Sequence, residues 1–166
     1  MSKFGKYKEE FDKKYGTSET FVAFLPEHLK YNKVVDLRKK NGSSNEQYYK
    51  WQFLYSIVNS GMYVKDFIGT EVQFPKGNKD SAPIKLDAAI FDDTEWFNHY
   101  QKYWQNNDLD SLDWLKQHLL VALEFKKEDA KNVAEVWDKQ LKSYMNESRK
   151  DLCFGVLYDT ERLFLF

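Results

Sequence analysis

Hydrophobic residues recur at helical spacing at the start of the chain. Across residues 3–15 the aromatic side chains fall on one helical face and the lysines on the other, which predicts an amphipathic helix. The aromatic positions are Phe4, Tyr7, Phe11 and Tyr15. A second helix is expected to begin at Pro26, because proline suits a first helical turn, and to continue toward Arg38. Residues 1–42 are therefore expected to form a helical extension packed on the core.

A polar break at residues 41–45 precedes a third predicted helix. Its apolar stripe consists of Tyr49, Phe53 and Ile57. Gly61 favours the end of this helix, since glycine readily adopts the left-handed conformation that follows a helix C-terminus.

Beyond Gly61 the pattern changes to short apolar runs separated by turn-forming residues. Five strands are predicted, over residues 62–74, 84–91, 119–126, 152–158 and 163–166. The acidic and aromatic segment 92–118 is expected to be partly helical, and residues 129–145 return to helical spacing. This order of elements predicts an α/β protein with a mixed β-sheet flanked by helices.

Composition restricts the class of protein. The chain has 166 residues, of which 42% are hydrophobic, enough for one domain with a single core. One cysteine excludes a disulfide framework, and three scattered histidines argue against zinc. No apolar stretch approaches the ~20 residues of a membrane span, and no apolar signal segment follows Met1, so a cytoplasmic protein with no membrane partner is expected.

The net charge of −1 is unevenly distributed. Residues 92–113 carry six acidic residues and one lysine, a net −5, which leaves +4 for the rest of the chain. A basic face is therefore compatible with this chain, although the charge alone does not predict DNA binding. Direct DNA contact is not expected at the acidic segment.

The third predicted strand ends with two charged residues on one face. Side chains alternate between the faces of a strand, so its apolar residues share one face. These are Val121, Leu123 and Phe125. Glu124 and Lys126 share the opposite face. A surface ion pair is the plain interpretation, and such a pair contributes little stability.

The second predicted strand supplies another carboxylate, Asp87, in an otherwise apolar run. If the two strands are neighbours, Asp87 and Glu124 approach closely, and two buried carboxylates then need a cation between them. Oxygen ligands without histidine or cysteine favour Mg²⁺ or Mn²⁺. Such a metal polarises a phosphate and acidifies a bound water, which Lys126 could orient or deprotonate. These are the groups that phosphodiester hydrolysis requires.

Two polar residues of the following helix lie on its apolar face, Gln140 and Tyr144. The apolar members of this face are Val133, Trp137 and Leu141. A structural alternative stays open, with Tyr144 in the core and its hydroxyl in water, and Gln140 at the flank.

These residues carry a resemblance to a known family. Asp87, the tripeptide Glu124-Phe125-Lys126 and the segment from Gln140 to Tyr144 resemble the D, ExK and QxxxY motifs of the PD-(D/E)xK nuclease superfamily. The RecB-like branch is the most similar, in particular the N-terminal nuclease domain of type I restriction enzyme R subunits. The two C-terminal strands are similar to the closing hairpin of that family, and the resemblance covers about residues 43–166.

The resemblance implies a restriction-endonuclease-like fold and a Mg²⁺- or Mn²⁺-dependent site. Asp87, Glu124 and the backbone carbonyl of Phe125 would hold the metal, and Lys126 would serve the attacking water. Gln140 and Tyr144 would position the site or the DNA backbone.

Two further acidic residues have competing interpretations. Glu46 matches a family carboxylate on an early helix that assists through metal or water, but Ser43 and Glu46 also have the spacing of a capping box. Glu71, on the first predicted strand, is another candidate, and an exposed strand carboxylate is the expectation there.

The chain departs from the family pattern in two ways. Leu86 replaces the frequent proline before Asp87, and the insertion 92–118 is longer than the usual connection. Its aromatic residues suit a lid, a partner surface or an added core layer, of which added core is expected. Five lysines could line a phosphate track, although solvated helix faces also explain them: Lys126, Lys127, Lys131, Lys139 and Lys142.

The sequence therefore predicts the metal-dependent DNA endonuclease domain of a restriction or phage-defence system, comprising residues 43–166 behind the extension 1–42. Its expected partners are DNA and further domains or subunits of a restriction-modification complex, because the chain ends on an apolar strand and lacks a motor motif. The main alternative is a non-catalytic DNA-binding or subunit-docking module of the same fold. Two others are a structure-specific nuclease and an interaction protein built around the aromatic insertion. Oligomeric state is not predicted.

Overall fold

The computed structural model describes residues 2–76, 81–126, 133–149, 153–158 and 162–166, without the side chains of Ala134 and Lys139. The helices are α1 Lys3–Tyr15, α2 Glu46–Asn59, α3 Trp96–Asn106, α4 Leu109–His118, α5 Val133–Val136 and α6 Lys142–Met145. A 3₁₀ turn spans Lys65–Phe67, and a π-turn, Trp137–Leu141, joins α5 to α6. The strands are β1 Thr20–Val22, β2 Val34–Asp36, β3 Ile68–Phe74, β4 Ile84–Phe91, β5 Leu119–Phe125, β6 Phe154–Tyr158 and β7 Leu163–Leu165.

A five-stranded mixed sheet in the order β3-β4-β5-β6-β7 forms the centre of the protein. The first three strands form an antiparallel meander, β6 pairs parallel to β5, and β7 pairs antiparallel to β6. Parallel pairing requires a crossover connection, and α5, the π-turn and α6 lie on that connection. The predicted α/β class, a mixed sheet flanked by helices with a helix at the N-terminus, is confirmed.

The sheet separates two hydrophobic clusters. One cluster contains α1, the β1–β2 hairpin and α2, with Phe11, Trp51 and Leu54 fully buried. The other contains α3, α4 and the π-turn, with Tyr100 and Leu141 fully buried. Each fully buried large apolar side chain contributes about 2–3 kcal/mol, so both faces of the sheet are needed for stability.

The segment after α1 differs from its prediction. The helix expected from Pro26 toward Arg38 is absent, and β1 and β2 instead form an antiparallel pair in which Phe21 lies opposite Val35. In both strands the central residue is buried and its two neighbours are exposed, which is the period of a half-buried strand. Pro26 lies in the connection, where its carbonyl accepts a hydrogen bond of 2.9 Å from the Thr70 amide.

The insertion 92–118 forms the helices α3 and α4, as expected of a partly helical segment. Trp96 is 2% exposed, stacks on Phe91 of β4 with the ring centroids 4.8 Å apart, and donates from its indole nitrogen to the Asp66 carbonyl. The Tyr100 hydroxyl accepts from the Gln73 amide at 2.8 Å. The insertion is therefore added core, which confirms the expected interpretation.

Element boundaries differ by a few residues. β3 begins at Ile68 rather than at residue 62, because the 3₁₀ turn precedes it and Met62 and Val64 are exposed. Of the predicted C-terminal helix, residues 129–132 lie outside the described residues, as does Leu152 of the fourth predicted strand. In the described ranges no helix has the length and apolar character needed to cross a membrane.

Candidate metal and active site

The pairing of β4 with β5 brings the two predicted carboxylates together. Ala88 lies opposite Leu123, and one further step in this register places Asp87 opposite Glu124. The Phe125 amide donates a hydrogen bond of 2.9 Å to the Asp87 carboxylate. Asp87 is half-buried, and Glu124 is only 3% exposed. The predicted proximity of the two carboxylates is therefore present at the end of β5.

Lys126 belongs to the same group. Its ammonium nitrogen lies 2.5 Å from the Glu124 Oε1 atom, and its side chain is 26% exposed. Burial would lower the pKa of Lys126, but the hydrogen bond and the negative charge of Glu124 raise it. Because the Glu124 carboxylate is buried, this pair is not the surface ion pair of the plain interpretation.

Glu124 has an unsatisfied oxygen. Its Oε2 atom is buried and forms no hydrogen bond within the described part of the chain. Burial and then the negative charge of Asp87 raise the pKa of Glu124 to about 8, although Lys126 opposes the shift. Burial likewise raises the pKa of Asp87. A proton or a cation is therefore needed for these two carboxyl groups to coexist.

Glu46 lies near this group at the first residue of α2. Asn45 caps the helix by accepting from the Tyr48 amide at 3.2 Å, and the Ser43 amide donates to Asn41 rather than to Glu46. The capping-box interpretation of Ser43 and Glu46 is therefore wrong. Burial and then the nearby charge of Asp87 raise the pKa of Glu46.

Glu71 is buried, contrary to the expectation of an exposed strand carboxylate. It is 7% exposed and lies in β3 between the pairs Thr70–Ala88 and Val72–Leu86. Its φ of 52° lies in the left-handed region, which is rare for a residue with a side chain inside a strand.

Two lysines neutralise Glu71. The Lys50 ammonium nitrogen lies 2.5 Å from one carboxylate oxygen of Glu71, and Lys85 contacts the other oxygen. Burial opposes ionisation, but the two lysines outweigh it and lower the pKa of Glu71. Lys50 is 1% exposed and was not identified from the sequence. The available signal was its position four residues after Glu46, which places both side chains on one face of α2.

Tyr144 and Gln140 have different relations to the site. Burial, followed by the charges of Glu124 and Asp87, raises the pKa of Tyr144, so its hydroxyl stays protonated near the carboxylates. Gln140 lies in the π-turn and is half-buried, and its carbonyl accepts from the Ser143 hydroxyl at 2.7 Å. A π-helical turn has more residues per turn than an α-helix. Residues that α-helical spacing predicts on one face therefore do not all lie on the same face here. The described residues show no hydrogen bond between the Gln140 side-chain amide and Asp87 or Glu124.

The predicted phosphate track remains a prediction. Lys142 is exposed on α6, whereas Lys127, Lys131 and the side chain of Lys139 lie outside the described residues.

The donor atoms suit a hard divalent cation. Among the described residues no three His, Cys, Asp or Glu side chains gather as a metal group, and the predicted ligand set needs only two carboxylates with the Phe125 carbonyl. The buried Glu124 oxygen without a partner is the observation that fits this set. Asp87, Glu124 and Phe125 are therefore the residues that would hold Mg²⁺ or Mn²⁺.

The fold and the site together define a mixed α/β protein whose site of carboxylates and a lysine lies on the neighbouring interior strands β4 and β5. Comparisons with protein-family models, with curated proteins and with solved structures found no match for this chain. Functional inference therefore depends on the chemistry of the site.

Proposed function

We propose that the protein is a metal-dependent deoxyribonuclease that hydrolyses phosphodiester bonds at Asp87, Glu124 and Lys126. The observation that supports this most directly is the pair of carboxylates on neighbouring strands, half-buried Asp87 and buried Glu124, with Lys126 bonded to one Glu124 oxygen and no partner for the other among the described residues. A restriction or phage-defence role, and DNA together with further domains or subunits as partners, follow from the motif resemblance and belong to the same proposal.

The residues divide the chemistry between them. A bound Mg²⁺ would supply a Lewis acid for the phosphate and a more acidic water. Asp87 and Glu124 would hold this ion, and the Phe125 amide fixes the orientation of Asp87. Lys126, which lies 2.5 Å from Glu124 Oε1, would orient or deprotonate the attacking water. The attacking water would form a bond to phosphorus as the bond to the leaving oxygen breaks, the proton of that water would pass to Lys126 or to solvent, and the leaving oxygen would take up a proton from solvent.

The two auxiliary residues act on the same centre. Glu46 would assist through the metal or its water, since its carboxyl group is influenced by Asp87 and Lys126. The protonated Tyr144 hydroxyl would donate to a phosphate oxygen or orient Glu124. Gln140 stays a candidate for DNA positioning from the resemblance alone.

The test is cleavage of supercoiled plasmid by the purified chain with Mg²⁺ or Mn²⁺. Metal-dependent nicking is expected, and Asp87→Asn and Lys126→Met should each lower its rate at least ~100-fold, which is typical for the loss of a group used in the transition state. Matched controls are Asp110→Asn and Lys102→Met, which change the same residue types on exposed helical positions and should retain the activity.

Two results would overturn the proposal. Nicking that survives both substitutions would place the chemistry elsewhere. Absence of cleavage together with absence of Asp87-dependent metal binding in calorimetry would favour the non-catalytic module, and retained DNA binding would then identify its DNA-binding form. Cleavage of RNA but not DNA would correct the substrate class.

A further inference from the structure

The segment that precedes the central sheet contains a basic cleft. Its walls are the connection from α1 to β1 and the connection from β2 to α2, and its volume is about 570 Å³. Arg38, Lys39 and Lys40 line the cleft, and the last turn of α1, at its border, adds Lys13 and Lys14. Among the described residues, none of these five cations forms a salt bridge.

The charge of the basic cleft is not balanced from within. Glu19 and Asp36 also line it, and both are exposed. Five cations against two carboxylates leave a net charge of +3. The lysines beside the sheet differ, because a glutamate contacts each of them: Lys33, Lys50, Lys85 and Lys126. An excess of unpaired positive charge in a concave surface favours an anionic ligand.

Arg38 joins the two walls of the basic cleft. Its guanidinium donates to the carbonyl of Gly16, to the carbonyl of Ser18 at 3.4 Å and to the hydroxyl of Ser44 at 2.5 Å. The guanidinium also lies over the Tyr48 ring, 4.8 Å from the ring centroid. All these partners are neutral, so the positive charge of Arg38 is not compensated by them. Arg38 has five N–H groups, and the two that these bonds leave over suit a phosphate.

The turn that carries two of the lysines is defined by backbone hydrogen bonds. The Gly42 amide donates to the Lys39 carbonyl at 2.8 Å, which closes a β-turn with Lys40 at its tip. Gly42 has a φ of 80°, in the left-handed region that glycine adopts without strain. Lys39 and Lys40 are exposed. Their ammonium groups therefore reach a ligand without any change in the fold.

The basic cleft lies at the end of α2 that faces the candidate metal site. The Lys39 amide donates to the Ser43 carbonyl at 2.8 Å, and the three residues from Ser43 to Glu46 span at most ~11 Å. One turn after Glu46, Lys50 contacts Glu71 of β3, the strand that pairs with β4. A helical turn of duplex DNA is ~34–36 Å long, so about a third of a turn covers the distance from Ser43 to Glu46.

We propose that the basic cleft binds the phosphate backbone of duplex DNA and positions the duplex along the metal site, with Arg38, Lys39 and Lys40 as the contacting residues. The inference rests on the proposed cleavage of DNA and gives the N-terminal segment 1–42 a role in it. Phosphate contacts of this kind supply affinity and register without reading the base sequence.

The test measures fluorescence anisotropy of a short labelled DNA duplex with the full chain, in EDTA so that metal-dependent cleavage does not occur, over a series of KCl concentrations. Lys39→Gln/Lys40→Gln should weaken binding at least ~10-fold and reduce the slope of log K against log salt by about 2, since each lost phosphate contact contributes ~0.9. Both lysines are exposed, so the variant is expected to fold, which circular dichroism checks.

Two further variants separate a local contact from an effect of net charge. Lys3→Gln/Lys6→Gln removes two exposed lysines from the other end of α1 and should keep the affinity within ~2-fold and the slope unchanged. Glu19→Gln removes a carboxylate from the basic cleft and should strengthen binding about 2-fold or more.

Plasmid nicking with Mg²⁺ gives a second measurement. Lys39 and Lys40 lie outside the group of Asp87, Glu124 and Lys126, so Lys39→Gln/Lys40→Gln should raise KM and leave kcat within ~3-fold of the wild-type value. A loss of kcat with an unchanged KM would contradict a role in DNA binding.

The outcomes separate this inference from the proposed function. If Lys39→Gln/Lys40→Gln binds DNA with the wild-type affinity and slope, or if Lys3→Gln/Lys6→Gln weakens binding equally, the basic cleft is not the DNA site. Asp87-dependent nicking would then leave the nuclease proposal standing. Tighter binding of an RNA duplex of the same sequence would overturn DNA as the ligand. A wild-type protein that neither binds nor nicks DNA would overturn both proposals.

Discussion

Glu71 and Glu124 are buried glutamates on the two strands that flank Asp87, and their electrostatic states are opposite. Both carboxylate oxygens of Glu71 contact a lysine, Lys50 or Lys85, and its pKa is lowered. Glu124 contacts a single lysine, Lys126, through one carboxylate oxygen, and its other oxygen has no partner in the described residues. Its pKa is raised to about 8. Burial disfavours ionisation of both carboxyl groups, so the two lysines beside Glu71 and the negative charge of Asp87 beside Glu124 account for the difference.

The difference assigns separate roles to similar side chains. A carboxylate whose oxygens are both paired contributes to the architecture, because any change in its partners leaves a buried charge. A carboxylate with an unpaired buried oxygen keeps coordination capacity for a ligand. The structure thus distinguishes Glu71, whose two carboxylate oxygens contact lysines, from Glu124, which is a candidate metal ligand. The substitutions below test that separation.

The largest effect is expected from removal of the buried lysine. Lys50→Met should lower the free energy of unfolding by about 3–5 kcal/mol at neutral pH, since Glu71 then loses its buried partner and keeps only the exposed Lys85. Urea denaturation measures this effect. Glu71→Gln combined with Lys50→Met should recover part of the loss. If Lys50→Met has the stability of the wild-type protein, Glu71 is not held as an ion pair and the comparison with Glu124 fails.

A pH-dependent effect is expected at Glu124. This carboxyl group ionises near pH 4.5 in the unfolded chain and only near pH 8 in the folded protein. The folded state therefore binds more protons in that window, and wild-type stability decreases as the pH rises through it. Glu124→Gln lacks this loss, so its stability relative to the wild-type protein should increase by on the order of 3 kcal/mol between pH 5 and pH 8.

Glu71→Gln should show the opposite pH dependence of stability. Because the pKa of Glu71 is lowered, its contribution is present above the unfolded value and is lost at acidic pH. Glu71→Gln should therefore be less stable than the wild-type protein at pH 8 and approach it in acid. If the stabilities of Glu71→Gln and Glu124→Gln change with pH in the same way, the two glutamates do not have opposite pKa shifts.

The smallest effect on stability is expected from substitution of Lys85, the exposed lysine that contacts Glu71. The Lys85 side chain is 54% exposed, and its ion pair is screened by solvent. Lys85→Met should change the free energy of unfolding by less than about 1 kcal/mol. Thermal and urea denaturation beside Lys50→Met measure the ratio of the two effects. If Lys85→Met lowers the free energy of unfolding as much as Lys50→Met does, then the burial of a lysine does not determine how strongly its ion pair with Glu71 stabilises the protein.

Strong local patterns predicted much of the fold. The strand of Ile84–Phe91 and the helix of Lys3–Tyr15 have the expected bounds, because their apolar spacing is regular over many residues. The β1–β2 hairpin was missed because strands of three residues give only one period of alternation, and Pro26 suggested a helix start instead. The π-turn was missed because its extra residue depends on packing and not on spacing.

The candidate site was predicted in part. Alternation along one strand places Glu124 with Lys126, and only the pairing of β4 with β5 places Asp87 opposite them. Lys50 and the burial of Glu71 depend on how α2 lies against β3, which no local pattern specifies.

By itself the sequence determined the mixed α/β class, the helices and strands with strong periodicity, and the shared face of Glu124 and Lys126. These properties follow from spacing within single segments. Only the tertiary structure decided that Lys50 and Lys85 neutralise Glu71, while an oxygen of Glu124 lies buried with no partner among the described residues. The reason is that the pKa and pairing of a buried carboxylate depend on charges brought from distant segments, within a few ångströms, by the folding of the whole chain.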